Sequence, residues 1–318
     1  MSRKVSEDAG ASVPWAALFD LARRQANVVT VAQAIALGID PGTLRRRASR
    51  EGWPRPFPKV AVLPGTLLDG ATLAVAAALS VGPDSVITGR TALAIHGVAD
   101  RWPHRVEIAI PAERVRAARD GVRLRRTRTL QPADVGLHRG VRLATVPRAF
   151  LDACPLTSRD VLRAWLIDGR QRRRLQVPEV AARVISEPHA PGRRRLLQAC
   201  VDVDASGADS VFVHHVEELL SRAGIAFDTP PRTVPTPHRE LHPDITLAGY
   251  RIAIEVDGFG SHASRTSLER DQRKHNAYVL AGWIVLRIGW DRFTRDPHGF
   301  VAEVRAAMAQ ASTAAGTS

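Results

Sequence analysis

Cysteine is almost missing from this chain. Cys154 and Cys200 are the only two in 318 residues, far apart and at no metal-ligand spacing, which excludes a disulfide scaffold and a zinc knuckle. Both read as small buried side chains. Aromatic residues make up 5%, too few to suggest the stacking platforms that hold single strands. Long apolar runs are absent as well: Ala71 to Leu79 is too short to span a bilayer and no apolar run follows a basic start. A cytoplasmic protein without a membrane partner is expected. The chain has no P-loop, no dinucleotide-binding glycine fingerprint and no HExxH. Its GRTALAIHG stretch is not a nucleophile elbow, and no internal repeat is visible.

Acidic charge is the scarcer sign. Thirty-two Asp plus Glu stand against forty-five Lys plus Arg, giving +13 and a pI near 11.2. Most cations are arginine, whose planar fork suits bidentate phosphate contacts, so a polyanion partner is expected. An arginine-, alanine- and proline-rich composition gives the same excess without a partner, and charge alone does not decide. At 318 residues the chain has room for two or three domains. Nothing in it sets the oligomeric state.

From about Trp15 to Gly65 the pattern is one of short helices. Leu18, Leu21 and Ala22 share a helical face, Thr30 stands as a cap before VAQAIAL, and Gly38 stops that turn. Asp40-Pro41 then opens a third helix, the aspartate at the cap and the proline at the first helical position. TLRRRASR places Arg45, Arg46, Arg47 and Arg50 along it. The Pro/Gly-rich ribbon WPRPFPKVAVLPG follows, with Lys59 where a wing would touch a backbone.

This order reads as a winged helix-turn-helix over residues 13–65, with residues 1–12 a disordered tail. It resembles the amino-terminal domain of the AbiEi-like antitoxins of type IV toxin–antitoxin systems. The resemblance implies binding to double-stranded DNA, with the basic helix in the major groove, and a toxin encoded next door. A small helical domain with a solvated basic face is the plainer alternative. Residues 66–200 are less legible: helices at Ala71–Leu79 and GRTALAIHG, a strand VEIAI ending at Pro111, an alternating strand in DGVRLRRTRTL and a helix in ATVPRAFLDAC. They resemble the α/β region that follows in the same antitoxins. His96 and His104 read as structural histidines, and the GRQRRR and GRRR runs as solvated charge or a DNA path.

The densest chemistry lies between His242 and His262, HPDITLAGYRIAIEVDGFGSH. With strands at 241–246 and 250–256, an Ala248-Gly249 turn pairs Asp244 with Ala253. Alternation along the strand then puts Asp244, Glu255 and Asp257 on one face. Three carboxylates together repel unless a cation sits among them. Oxygen donors without cysteine indicate Mg²⁺ or Mn²⁺. His262, beyond Gly258 and Gly260, would return over the site as general base or acid. An ordinary strand with a solvated acidic face is the alternative.

Pro243-Asp244, Glu255-Val256-Asp257-Gly258, His262, Asp271 and the terminal GWIVLRIGW resemble the very-short-patch-repair-like branch of the PD-(D/E)XK nucleases, over residues 205 to 310. The resemblance implies a restriction-endonuclease-like α/β domain with a mixed sheet. It also implies metal ligation by Asp244, Glu255 and Asp257, a catalytic His262, and Asp271 and Lys274 near the site. Related domains begin on a helix with serine and, three residues on, glutamate; here Ser210 is followed by Val213, and Glu217 one turn later either substitutes or is a surface acid. Arg287 would clamp a phosphate or sit at the rim. Helices at 210–223 and 267–281, a strand at 283–290 and a disordered tail at 311–318 complete the expectation. The whole is a multidomain α/β chain, read as a metal-dependent DNA endonuclease or as a non-catalytic DNA-binding regulator keeping a nuclease fold.

Overall fold

A computed structural model describes residues 14–114, 119–236, 240–257 and 265–315. The chain divides between Ala153 and Cys154 into two compact units. That division falls inside the 66–200 segment and gives its last three helices to the second unit.

The first unit opens with α1 (Trp15–Arg24), β1 (Val28–Thr30), α2 (Val31–Ala36), α3 (Pro41–Arg50) and β2 (Val60–Val62). α1 buries Leu18 and Ala22, and Arg23 and Arg24 complement the dipole in its last turn. Thr30 and Gln33 form a reciprocal capping box at the start of α2. Asp40 accepts the Thr43 N–H at 2.9 Å, and Pro41 needs no donor at the first turn of α3. β2 returns antiparallel to β1, Val28 opposite Val62. Leu18, Ala22, Ile39, Leu44, Ala48 and Trp53 meet in one apolar core. The expected ribbon is only half a ribbon: Pro54, Pro56 and Pro58 lack the donors for a ladder, and pairing is confined to Val60–Val62. Lys59 makes the turn into that strand with φ +62°.

Next come α4 (Gly70–Val81), β3 (Val86–Ile87), α5 (Gly89–Ile95), β4 (Val106–Pro111), β5 (Val122–Thr127), β6 (Val135–His138), β7 (Val141–Ala144) and α6 (Val146–Ala153). The strands form one mixed sheet in the order β5-β4-β3-β7-β6. α4 buries every residue from Ala74 to Ala78, as a helix apolar all round should. Arg148 is wholly buried in α6 and bonds Asp152 at 3.1 Å, Asp134 at 3.3 Å and Thr127 at 3.1 Å. Arg125 joins Asp152 from β5 at 3.4 Å, so this arginine-bearing face is tied into a structural cluster. His96 is structural too, its Nε2 2.8 Å from the Ala144 carbonyl.

The second unit begins with α7 (Arg159–Gln171), α8 (Val177–Ile185), α9 (Arg193–Val203) and α10 (Ala205–Arg222). Cys154 and Cys200 are buried here as free thiols, and burial pushes the Cys200 thiol up to about 12. A short hairpin, β8 (Val234–Pro235) with β9 (Glu240–Leu241), precedes β10 (Ile245–Thr246) and β11 (Ile252–Asp257). α11 (Arg265–Leu280) leads to β12 (Ile284–Gly289), then α12 (Trp290–Arg295) and α13 (Pro297–Ala315). β11 pairs antiparallel with β10 and parallel with β12, a three-stranded mixed sheet. Gly282, at φ +75°, ends α11.

Two expectations change. Ile245 faces Ile254 and Thr246 faces Ala253, so the loop is longer than the two residues Ala248-Gly249 and the register moves by two. A shift of two leaves every side chain on its face, whereas a shift of one would have turned Asp244 away. α13 also runs through Ala315, into the stretch 311–318 expected to be a disordered tail, because its alanine-rich sequence has high helix propensity. Residues 1–12, the other expected tail, lie outside the described residues.

Candidate nucleic-acid interface and carboxylate pocket

On α3 the buried positions Leu44 and Ala48 face the core, while Arg45, Arg46 and Arg50 are exposed. Arg46 donates to Thr43 Oγ1 at 2.9 Å and stays at the surface. Arg50 reaches Glu51 only at 3.5 Å, with 78% of its side chain exposed. Arg47 differs. Its guanidinium lies 4.3 Å from the centroid of the Trp15 ring and 5.0 Å from that of Phe19, and its Nε bonds Glu51 at 2.8 Å. This arginine, grouped with the DNA contacts in the sequence, clamps α3 onto α1. Glu51 also accepts from Trp53 Nε1 at 3.0 Å, and that bond with the neighbouring arginines holds its carboxyl below the usual range. Lys59 is exposed beside α3.

In the second unit a cavity of about 290 Å³ opens at the end of β11 and β12, lined by Glu255, Asp257, Asp271, Lys274, Tyr278 and Arg287 among others. Alternation on β11 aims Glu255 and Asp257 the same way. Lys274, from α11, holds Glu255 at 2.5 Å, and the buried Tyr278 hydroxyl donates to it at 2.7 Å. Arg287 grips Asp257 through two bonds, 3.2 and 2.5 Å, and reaches Asp271 at 3.3 Å. Arg287 is therefore engaged by carboxylates rather than standing free as a phosphate clamp. These bonds raise its pKa.

Asp244 accepts the Val256 N–H at 2.7 Å. Burial raises its pKa, the Val256 bond opposes this, and the nearby charge of Glu255 adds to the rise. Asp244, Glu255 and Asp257 are thus brought to one end of the sheet as the alternation required. Among the described residues, however, no three His, Cys, Asp or Glu side chains are gathered into an ion-holding group. Lys274, Tyr278 and Arg287 engage Glu255 and Asp257 instead. His262 lies outside the described residues.

Glu217 is not in the cavity lining; it stands 3.5 Å from His214 on α10. The α10 acid that lines the cavity is Asp209. It sits one turn before Val213, where Glu217 sits one turn after, so helical periodicity offered both. Burial and then the charge of Asp244 raise the Asp209 pKa. Among the described residues its buried Oδ1 has no hydrogen-bond partner. Tyr278 is a second site residue with no signal in the local pattern, since a helical tyrosine is ordinarily core.

Residues 16–53 match a family described as "Transcriptional regulator, AbiEi antitoxin". The match runs from α1 through α3 to Trp53. No curated protein matches the chain. Among the described residues no helix is long and apolar enough to cross a membrane.

Proposed function

We propose that this chain is a DNA-binding regulator whose first helices form the reading head, with double-stranded DNA as partner. The observation that carries the reading is the coincidence of the family match with a capped helix presenting Arg45, Arg46 and Arg50 to solvent. Arginine there suits both phosphate oxygens and guanine edges. Lys59 supports the backbone side of the contact, and the +13 charge supplies long-range attraction. In the antitoxin form of this reading, a toxin gene lies adjacent and its transcription is the controlled quantity. Electrophoretic mobility of DNA from upstream of the chain's own gene tests it: retarded, uncleaved duplex is expected, and no retardation at low salt overturns it.

A specific observation favours a second reading for the other unit, hydrolysis of DNA phosphodiester bonds. Among the described residues the buried Asp209 Oδ1 has no partner, and burial and then the charge of Asp244 raise the Asp209 pKa. Such a pair is relieved by a cation. The donors are all oxygen, which fits Mg²⁺ or Mn²⁺ bound by one or two carboxylates plus waters; Asp209 and Asp244 would hold it, and Glu255 and Asp257 would reach it once released from Lys274, Tyr278 and Arg287. The bound ion would polarise the scissile phosphate. His262 keeps the proton-accepting role that the nuclease resemblance implies. Incubation of purified protein with plasmid and Mn²⁺ tests this reading. Nicking that is lost in Asp244→Asn supports it, and intact plasmid at every divalent metal returns the unit to the regulator.

A further inference from the structure

The winged module contains a cleft of about 440 Å³ between α3 and the proline-rich run 54–58, within the size range of small-molecule sites. Its floor is apolar and buried: Val29, Leu44, Ala48 and Phe57. Among the described residues the charged ones lining it are all cations, Arg45, Arg55 and Lys59, with no carboxylate beside them. Among the described residues neither Arg45 nor Lys59 has an acidic partner. Arg55 Nη2 donates to the Arg45 carbonyl at 3.2 Å and to Ser49 Oγ at 3.1 Å, fastening the proline-rich wall to α3. Lys59 is held in the left-handed region at φ +62°, while its carbonyl accepts the Val31 N–H at 3.0 Å. A lysine keeps this conformation only where its surroundings over-determine it, a condition frequent at ligand sites.

An apolar floor under unneutralised cations selects a ligand with both characters. An inorganic anion leaves the floor empty, and a neutral hydrocarbon leaves the cations without a partner. We propose that this cleft binds a small organic anion, an aromatic or short aliphatic carboxylate, and that its occupancy competes with DNA at Arg45. The competition clause rests on the DNA-binding reading; the binding clause does not.

Titration calorimetry of the full chain without DNA tests the binding clause, using 2-naphthoate as probe, 2-naphthamide as neutral control and inorganic phosphate as anion control. Saturable one-to-one binding of naphthoate is expected, at least tenfold tighter than either control. It should weaken about tenfold in Arg45→Gln and in Lys59→Gly, the latter keeping the left-handed turn without strain. Absence of saturation, equal affinity for naphthoate and naphthamide, or unchanged affinity in both variants overturns the binding clause. Duplex affinity at saturating naphthoate should fall about tenfold; an unchanged value overturns the competition. Failure of the chain to bind any duplex counts against the DNA reading alone, because the first titration contains no DNA.

Discussion

Replacing Arg47 by alanine should damage stability and spare DNA binding, while the same change at its neighbour Arg46 should do the reverse. Arg47 touches two rings, Trp15 at 4.3 Å and Phe19 at 5.0 Å, and pairs with Glu51 at 2.8 Å, three-quarters of its side chain being buried. Each cation–π contact contributes about 0.5–1 kcal/mol at such partly exposed sites. The i,i+4 ion pair adds about 0.3–0.5 kcal/mol. The loss is therefore about 1.3–2.5 kcal/mol. In a unit of this size that lowers Tm by about 3–10 °C. Arg46 is exposed and, among the described residues, bonds only Thr43 within its own helix, so its removal should leave Tm within about 1 °C. It should reduce the slope of log K against log salt by about one, as a lost phosphate contact does. Thermal melts by circular dichroism, with duplex binding by fluorescence anisotropy at several salt concentrations, separate the two. An Arg47→Ala protein that melts like the parent but binds DNA tenfold more weakly would refute the division.

Other consequences follow from the same contacts. Arg148→Met removes the cation between buried Asp134 and Asp152 and should cost about 3–5 kcal/mol, seen as an earlier urea midpoint; an unchanged midpoint would show the cluster to be dispensable. Asp209 binds its proton more readily folded than unfolded. Its contribution is thus full below the unfolded carboxylate value of about 3.9 and is lost as pH rises through the folded one. Asp209→Asn should therefore raise Tm at pH 8 and leave it unchanged near pH 3; the same shift at both pH values would contradict the assignment. If the second unit cuts DNA, Glu255→Gln should reduce Mn²⁺-dependent nicking to background, and retained nicking would place the chemistry elsewhere.

The sequence was most legible where local chemistry is strongest. The Asp40-Pro41 start of α3, the Thr30 cap and the Gly282 stop each rest on one or two residues whose backbone preference is decisive, and all three stand where expected. The shared face of Asp244, Glu255 and Asp257 survived a wrong loop length because side-chain alternation repeats every two residues. What stayed hidden depends on contacts distant in sequence. No local pattern tells that Arg47 lies over rings from α1 while Arg46 does not, nor that Lys274 and Tyr278 converge on Glu255. The helix acid was sought after Val213 rather than before it, and only the fold distinguishes Asp209 from Glu217. The Pro/Gly-rich ribbon was expected to supply the wing; its missing N–H groups limit it to one short strand.

Binding of duplex DNA by the exposed arginines of α3 is decided by comparing the parent with an Arg45→Ala, Arg46→Ala, Arg50→Ala protein. The ligand is a duplex from upstream of the gene, titrated at about 100 mM salt, within the range where phosphate contacts dominate. A loss of affinity of about a hundredfold or more with an unaltered melting curve is the predicted result. Equal affinity in the two proteins would contradict it, and would move the DNA contact away from this helix.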